Sequence, residues 1–150
     1  MRCEVLFSIG SAKVLRCSGP LSCKPVVIIP SLINSCSIFF LNNGGLVGSL
    51  VERGFVVYLI SFDSPLYTER LFFLEDYVTN RIYPILMIIS DFYKSSVPLI
   101  GYCMGGIFSL CCGLQASDRV KSLCLIAVPW KFETPRFNEK EYFCLLKMIE

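Results

Sequence analysis

The six residues Gly101-Tyr102-Cys103-Met104-Gly105-Gly106 hold one thiol between glycines placed two residues before and two residues after it. The run that leads in, Val97-Pro-Leu-Ile100, is short and apolar, as a buried strand is, and Met104–Gln115 reads as a helix. A nucleophile on a sharp strand-to-helix turn needs this spacing. Such a turn strains the backbone of the nucleophile and draws neighbouring segments so close that side chains at 101 and 105 would collide. It also leaves the Met104 N–H at a helix N-terminus, facing the place where an acyl oxygen gains charge. Helix N-termini favour thiolate over thiol. The chemistry indicated is acyl transfer through Cys103, with Gly101, Gly105 and Gly106 as the glycines of the turn. The other eight cysteines read as small core residues.

A second loop fits the same chemistry. Val26-Val-Ile-Ile-Pro-Ser-Leu-Ile-Asn34 is a strand running into a loop, where folds with this turn place their second oxyanion donor. That donor would be the N–H of Leu32, or of Ile33 if the loop register differs by one. An ordinary turn, with Asn34 satisfying its own backbone, is the competing reading. The chain contains no histidine, so the usual general base for a Cys or Ser nucleophile is missing.

The elements that must position these residues come from the hydrophobic pattern. The 150 residues are 54% hydrophobic and 17% charged, enough apolar surface for one buried core or for membrane helices. Two segments, Pro25 to Val51 and Ser95 to Gln115, lack charge for the length of a membrane span. In a bilayer, Gly101 and Gly105 would be a helix-packing pair. Both segments are broken, however, the first by Pro30, Asn34 and Asn42-Asn-Gly-Gly45, the second by Pro98 and Gly105-Gly106. Each resolves into apolar runs of four to six residues bounded by turn signals, which is the pattern of buried strands, so no transmembrane segment is expected.

The expected order is a hairpin over Glu4–Ser8 and Lys13–Arg16, a strand over Val26–Ile29 and a helix near Gly45–Arg53 closed by Gly54. A strand over Phe55–Ile60 follows, then a helix over Phe73–Tyr93 that Pro84 should kink or split. The series ends with a strand over Val97–Ile100, a helix over Met104–Gln115 and a strand over Val120–Val128. Strands alternating with helices predict an α/β fold, a mostly parallel sheet covered on both faces.

The net charge of +2 is scattered, which excludes a nucleic-acid footprint. Nine cysteines include no C-x-x-C pair, so a zinc site has no support. Their odd number, and Arg2 and Glu4 where a signal peptide would turn apolar, predict free thiols in a reducing cytoplasm.

In this order the motifs resemble those of the polyhydroxyalkanoate synthase family, over the N-terminal part of its α/β-hydrolase catalytic domain, from about Glu4 to Pro135. Pro30-Ser-Leu-Ile-Asn34 is similar to the family's P-x-I-N loop. Leu46-Val-Gly-Ser-Leu-Val-Glu-Arg-Gly-Phe-Val-Val-Tyr-Leu-Ile-Ser61 resembles its helix and following strand. Gly101–Gly106 matches its lipase-like box, and Val120–Trp130 with Phe132-Glu-Thr-Pro135 resembles the next strand and exit loop.

The resemblance implies that Cys103 accepts a hydroxyacyl group from a coenzyme A thioester, with Met104 and Leu32 as the oxyanion hole and no metal or redox cofactor. It also implies a His and an Asp C-terminal to the box. None of the residues after Cys103 is histidine, Asp118 precedes the next strand, and Glu133 is a poor substitute. The expectation is a partial domain, truncated before the last strands and inactive unless a C-terminal fragment supplies His and Asp. A thioesterase- or esterase-like fragment, and a non-catalytic remnant serving as a binding module, are the alternatives.

Overall fold

The computed structural model describes residues 1–20 and 22–130. Glu133, Cys144 and the exit loop from Phe132 to Pro135 lie outside the described residues. Six strands form one sheet: β1 (Arg2–Ile9), β2 (Ala12–Ser18), β3 (Lys24–Ile29), β4 (Phe55–Phe62), β5 (Val97–Tyr102) and β6 (Val120–Ile126). They lie in the order β1-β2-β4-β3-β5-β6. The hairpin β1–β2 is antiparallel and joins β4 antiparallel, while β4, β3, β5 and β6 run parallel. This is the mostly parallel sheet of an α/β-hydrolase fold. The helices are α1 (Leu41–Glu52), α2 (Leu74–Tyr77), α3 (Tyr83–Tyr93) and α4 (Met104–Gln115). Among the described residues, no helix is long and apolar enough to cross a membrane.

The side-chain alternation of each strand sorts the core into two layers. Val27, Ile29, Val56, Tyr58, Ile60 and Leu99 face Ile85, Leu86 and Ile89 of α3 and Phe108 of α4. Val26, Ile28, Val57, Leu59 and Ile100 face Phe39 and, from α1, Val47 and Val51. Because helices cover both faces, β3 is buried at four consecutive positions, which is why it reads as an unbroken apolar run.

Three expectations change in detail. Helical bonding in α1 starts at Leu41, but Gly44 and Gly45 take φ of 108° and 54°, so regular right-handed helix begins only beyond them. The helix over Phe73–Tyr93 is split as Pro84 predicts, and the unforeseen detail is that a π-helical turn over Val78–Ile82 joins α2 to α3. Pro84 explains the split. It has no N–H for the Asn80 carbonyl, and the Arg81 guanidinium donates to that carbonyl instead, at 2.8 Å. The third change concerns the thiols. Cys3 and Cys17 are joined by a disulfide, because the β1–β2 register sets them directly opposite each other. Six described cysteines are free, and of these Cys23 and Cys124 are exposed rather than in the core.

Arg81 also closes the rim of the sheet at the C-terminal end of β4. Its Nε and Nη2 each lie 2.6 Å from Glu69 Oε1. The same buried carboxylate accepts the Ser11 N–H at 3.0 Å and the Leu66 N–H at 2.9 Å. Gly10, at φ 59°, passes directly over the pair, leaving no room for a Cβ. Burial by itself would raise the Glu69 pKa. The hydrogen bonds from Leu66 and Ser11, with Arg81, outweigh it and hold the group at about 2, against 4.5 ordinarily.

A depressed carboxylate stabilises the fold fully above its unfolded-state pKa and loses that contribution as pH falls through the folded value. Stability should therefore drop between about pH 4.5 and 2 by about 3 kcal/mol. Urea unfolding at pH 7 and pH 3 should show about 2 kcal/mol of this loss, and Glu69→Gln should lower stability at pH 7 while flattening the dependence.

The two edges of the sheet differ. β1 carries a bulge between Val5 and Phe7 and the charges Arg2 and Glu4, devices that discourage pairing with another chain. β6 has an interior strand's composition, yet Leu123, Leu125 and Ile126 are 38%, 43% and 36% exposed. Among the described residues nothing pairs with its outer edge.

Candidate active site

β3, β4, β5 and β6 are parallel, so their C-terminal ends share one rim, and Cys103 stands on it. β5 ends at Tyr102 and α4 begins at Met104. The single residue between them has φ 53° and ψ −125°, a conformation that costs a non-glycine residue of order 1–3 kcal/mol. The Cys103 N–H donates to the Ile126 carbonyl at 2.9 Å, and the Gly106 N–H donates to the Cys103 carbonyl at 2.9 Å. These two bonds hold the turn between the end of β6 and the first turn of α4. The thiol is half-buried.

The glycines are explained by their neighbours. A Cβ on Gly101 would lie 2.5 Å from Gly106 Cα and from Ser109 Oγ. One on Gly105 would collide with the backbone carbonyls of Ile29 and Pro30. One on Gly106 would overlap the Val128 side chain. The buried Ser109 hydroxyl fills the remaining space and donates to the Gly105 carbonyl at 2.8 Å. The turn is therefore packed backbone to backbone against the loop that leaves β3.

That loop carries the second expected donor. Ser31 is buried, and its Oγ accepts a long hydrogen bond of 3.5 Å from the Ile33 N–H. Among the described residues the Leu32 N–H makes no hydrogen bond, which leaves Leu32 as the more available of the two donors considered. Met104 and Leu32 both pack at the margin of the α3/α4 core layer.

Among the described residues, neither Asp118 nor Glu69 is placed to serve Cys103. Asp118 lies before β6, at the opposite end of the sheet from the rim, and pairs with Arg119 at 3.4 Å. Glu69 is committed to Arg81. Among the described residues no group of His, Cys, Asp and Glu side chains could hold a metal ion. Sequence reasoning missed Tyr102 and Phe39, whose rings meet edge to face at 5.7 Å just beneath the turn. Phe39 stands in the continuous apolar run Ile38-Phe-Phe-Leu41 and Tyr102 within the glycine-flanked motif, and neither position signals the ring contact.

Over 113 residues the sequence is 35% identical to the poly(3-hydroxyalkanoate) polymerase subunit PhaC of Synechocystis, covering 74% of this chain and 30% of that protein. The corresponding subunit of Haloferax mediterranei is 32% identical over 126 residues, covering 79% of this chain and 26% of that protein. The chain is a relative of the polyhydroxyalkanoate synthases. It spans about a quarter to a third of the length of the curated relatives it matches. No family model matches the sequence.

Solved structures agree on the α/β-hydrolase fold. Naproxen esterase from Bacillus subtilis superposes with a TM-score of 0.68 at 18% identity, over 98% of this chain and 50% of that one. A thioesterase domain from the curacin biosynthetic pathway gives 0.65 at 16% identity, over 99% of this chain and 53% of that one. At these identities the likeness concerns the fold alone.

Proposed function

We propose that this chain carries the nucleophile half of a cytoplasmic polyhydroxyalkanoate synthase-like acyltransferase, with Cys103 as acyl acceptor. The Cys103 sulfur, as thiolate, attacks the carbonyl carbon of a hydroxyacyl-coenzyme A. A C–S bond to Cys103 forms, the C–S bond to coenzyme A breaks, and the proton lost by Cys103 ends on the departing thiol. The N–H groups of Met104 and Leu32 hold the oxygen that gains charge between these events. The hydroxyl of a second hydroxyacyl unit then attacks the enzyme thioester: a C–O ester bond forms, the C–S bond to Cys103 breaks, and the hydroxyl proton ends on the Cys103 sulfur. One thioester is exchanged for another in the first step, so neither a metal nor a redox cofactor is required.

The observation that carries this reading is the backbone of Cys103, strained at φ 53° between strand and helix in a relative of these synthases. The second step needs a base for the incoming hydroxyl, and the sequence has no histidine. We assign the His and Asp to a C-terminal stretch or partner fragment.

Alkylation of the native chain near neutral pH tests the nucleophile. Cys103 should be labelled ahead of the buried Cys112, whose thiol is pushed up to about 12 by burial and by its neighbour Cys111. Peptide mapping that finds Cys103 unlabelled while Cys111 and Cys112 react would remove Cys103 from this role. Hydrolysis of an acylated Cys103 by water, with no transfer to a hydroxyl, would identify a thioesterase instead.

A further inference from the structure

A cavity of about 550 Å³ opens at the N-terminal ends of β3, β5 and β6, within the size range of small-molecule sites. It lies at the opposite end of the sheet from Cys103, because the chain climbs about 16 Å along β5 between Pro98 and the thiol. Lys24 of β3 and Lys121 of β6 line it, together with Ser95, Ser96 and Ser122. Among the described residues no acidic side chain lines it, and neither lysine is ion-paired. β5 lies between β3 and β6, so the two lysine backbones stand two strand spacings apart, about 10 Å. Two lysine side chains can close that gap on a single anion. The end of α3, whose carbonyls would repel an anion, is already satisfied: the N–H groups of Ser95 and Lys94 donate to the Ser90 and Asp91 carbonyls at 3.1 and 3.2 Å.

We infer that this cavity is a second binding site, for a phosphate monoester carried on a flat ring. The inference is independent of the role of Cys103. The phosphate follows from the polar half of the lining. A phosphate monoester carries close to two negative charges at neutral pH, with several acceptor oxygens. Two ammonium groups match that charge as point charges, and serine hydroxyls donate to the remaining oxygens. A carboxylate has half the charge and fewer oxygens, so it would leave part of this set unused. The ring follows from the apolar half, which is Pro25, Phe55, Pro98 and Tyr93. The Tyr93 hydroxyl is bonded to that of Tyr58 at 2.9 Å, so Tyr93 offers the cavity its ring. Aromatic and proline surfaces of this kind accept a flat ring by stacking and area burial.

Cys23 is exposed and lines the same cavity, so its alkylation reports occupancy. The 150-residue chain is treated with iodoacetamide at fixed ionic strength, with phenyl phosphate, benzoate or inorganic phosphate present, and labelling is followed by peptide mapping. Cys36, beyond β3 at the other end of the sheet, is the internal reference. Phenyl phosphate should slow labelling of Cys23 several-fold and leave Cys36 unchanged. Inorganic phosphate should protect more weakly, and benzoate hardly at all. Lys24→Gln combined with Lys121→Gln should abolish the protection, and both lysines are exposed, so the fold does not depend on them. If that double variant does not fold, the comparison of the three anions on the native chain decides the matter. No protection by phenyl phosphate, equal slowing of Cys23 and Cys36, or protection that survives the double substitution would overturn the inference. Benzoate protecting as well as phenyl phosphate would refute phosphate recognition. Inorganic phosphate protecting as well would refute the ring and leave a bare anion site.

Discussion

Purified alone, the 150-residue chain should release no more than one coenzyme A per Cys103 from a hydroxyacyl thioester, and Cys103→Ala should abolish that single release. On the proposed reading the first acylation uses only the Cys103 sulfur and the N–H groups of Met104 and Leu32, all of which lie within the chain. Repeated turnover needs a proton acceptor for the next hydroxyl, and without histidine that contribution of about 10² to 10⁴ in rate is absent. Adding a C-terminal fragment that contains His and Asp should restore multiple turnovers. Such a fragment would dock against β6, where three apolar side chains stand exposed along an edge that no described strand pairs. Quantifying free coenzyme A against time decides this. Multiple turnover by the chain alone, lost on Cys103→Ala, would show that a base within these residues had been overlooked.

The second large effect is expected at Gly105. Its Cβ would overlap two carbonyl oxygens and lie 2.7 Å from the Ile29 carbonyl carbon, and backbone cannot rotate away as a side chain can. Gly105→Ala must therefore push the loop after β3 off the elbow, costing about 3 kcal/mol or more and separating Leu32 from Met104. Gly113→Ala is the matched control in the same helix. Its Cβ meets only the flexible end of Leu123, at 3.2 Å. The helix-propensity gain of about 1 kcal/mol should leave that variant as stable as the parent or slightly more so. Chemical unfolding of the two variants measures the contrast. Equal stabilities would mean that the Ile29–Pro30 carbonyls do not press on the first turn of α4.

Much of this architecture was legible in the chain because local rules govern it. A parallel sheet covered on both faces makes its strands continuously apolar, and Val26–Ile29, Phe55–Ile60 and Val97–Ile100 read accordingly. The elbow was legible for a steric reason, since only glycine tolerates the approaches made at 101 and 105. The same steric demand places Cys103 at positive φ. The missing histidine needed no fold to be noticed.

Other features depend on pairing across the chain. The Cys3–Cys17 disulfide follows from the β1–β2 register, and spacing among nine cysteines does not specify register. Glu69 and Arg81 stand twelve residues apart, and it is a π-helical turn and a glycine turn that bury them together. The exposure of β6 depends on which strands lie beside it, and among the described residues none pairs with its outer edge. The chemistry of single residues is local and was encoded in the sequence by itself. The contacts that hold Cys103 between Ile29, Ile126 and Val128 join positions far apart in the chain, and only folding could decide them.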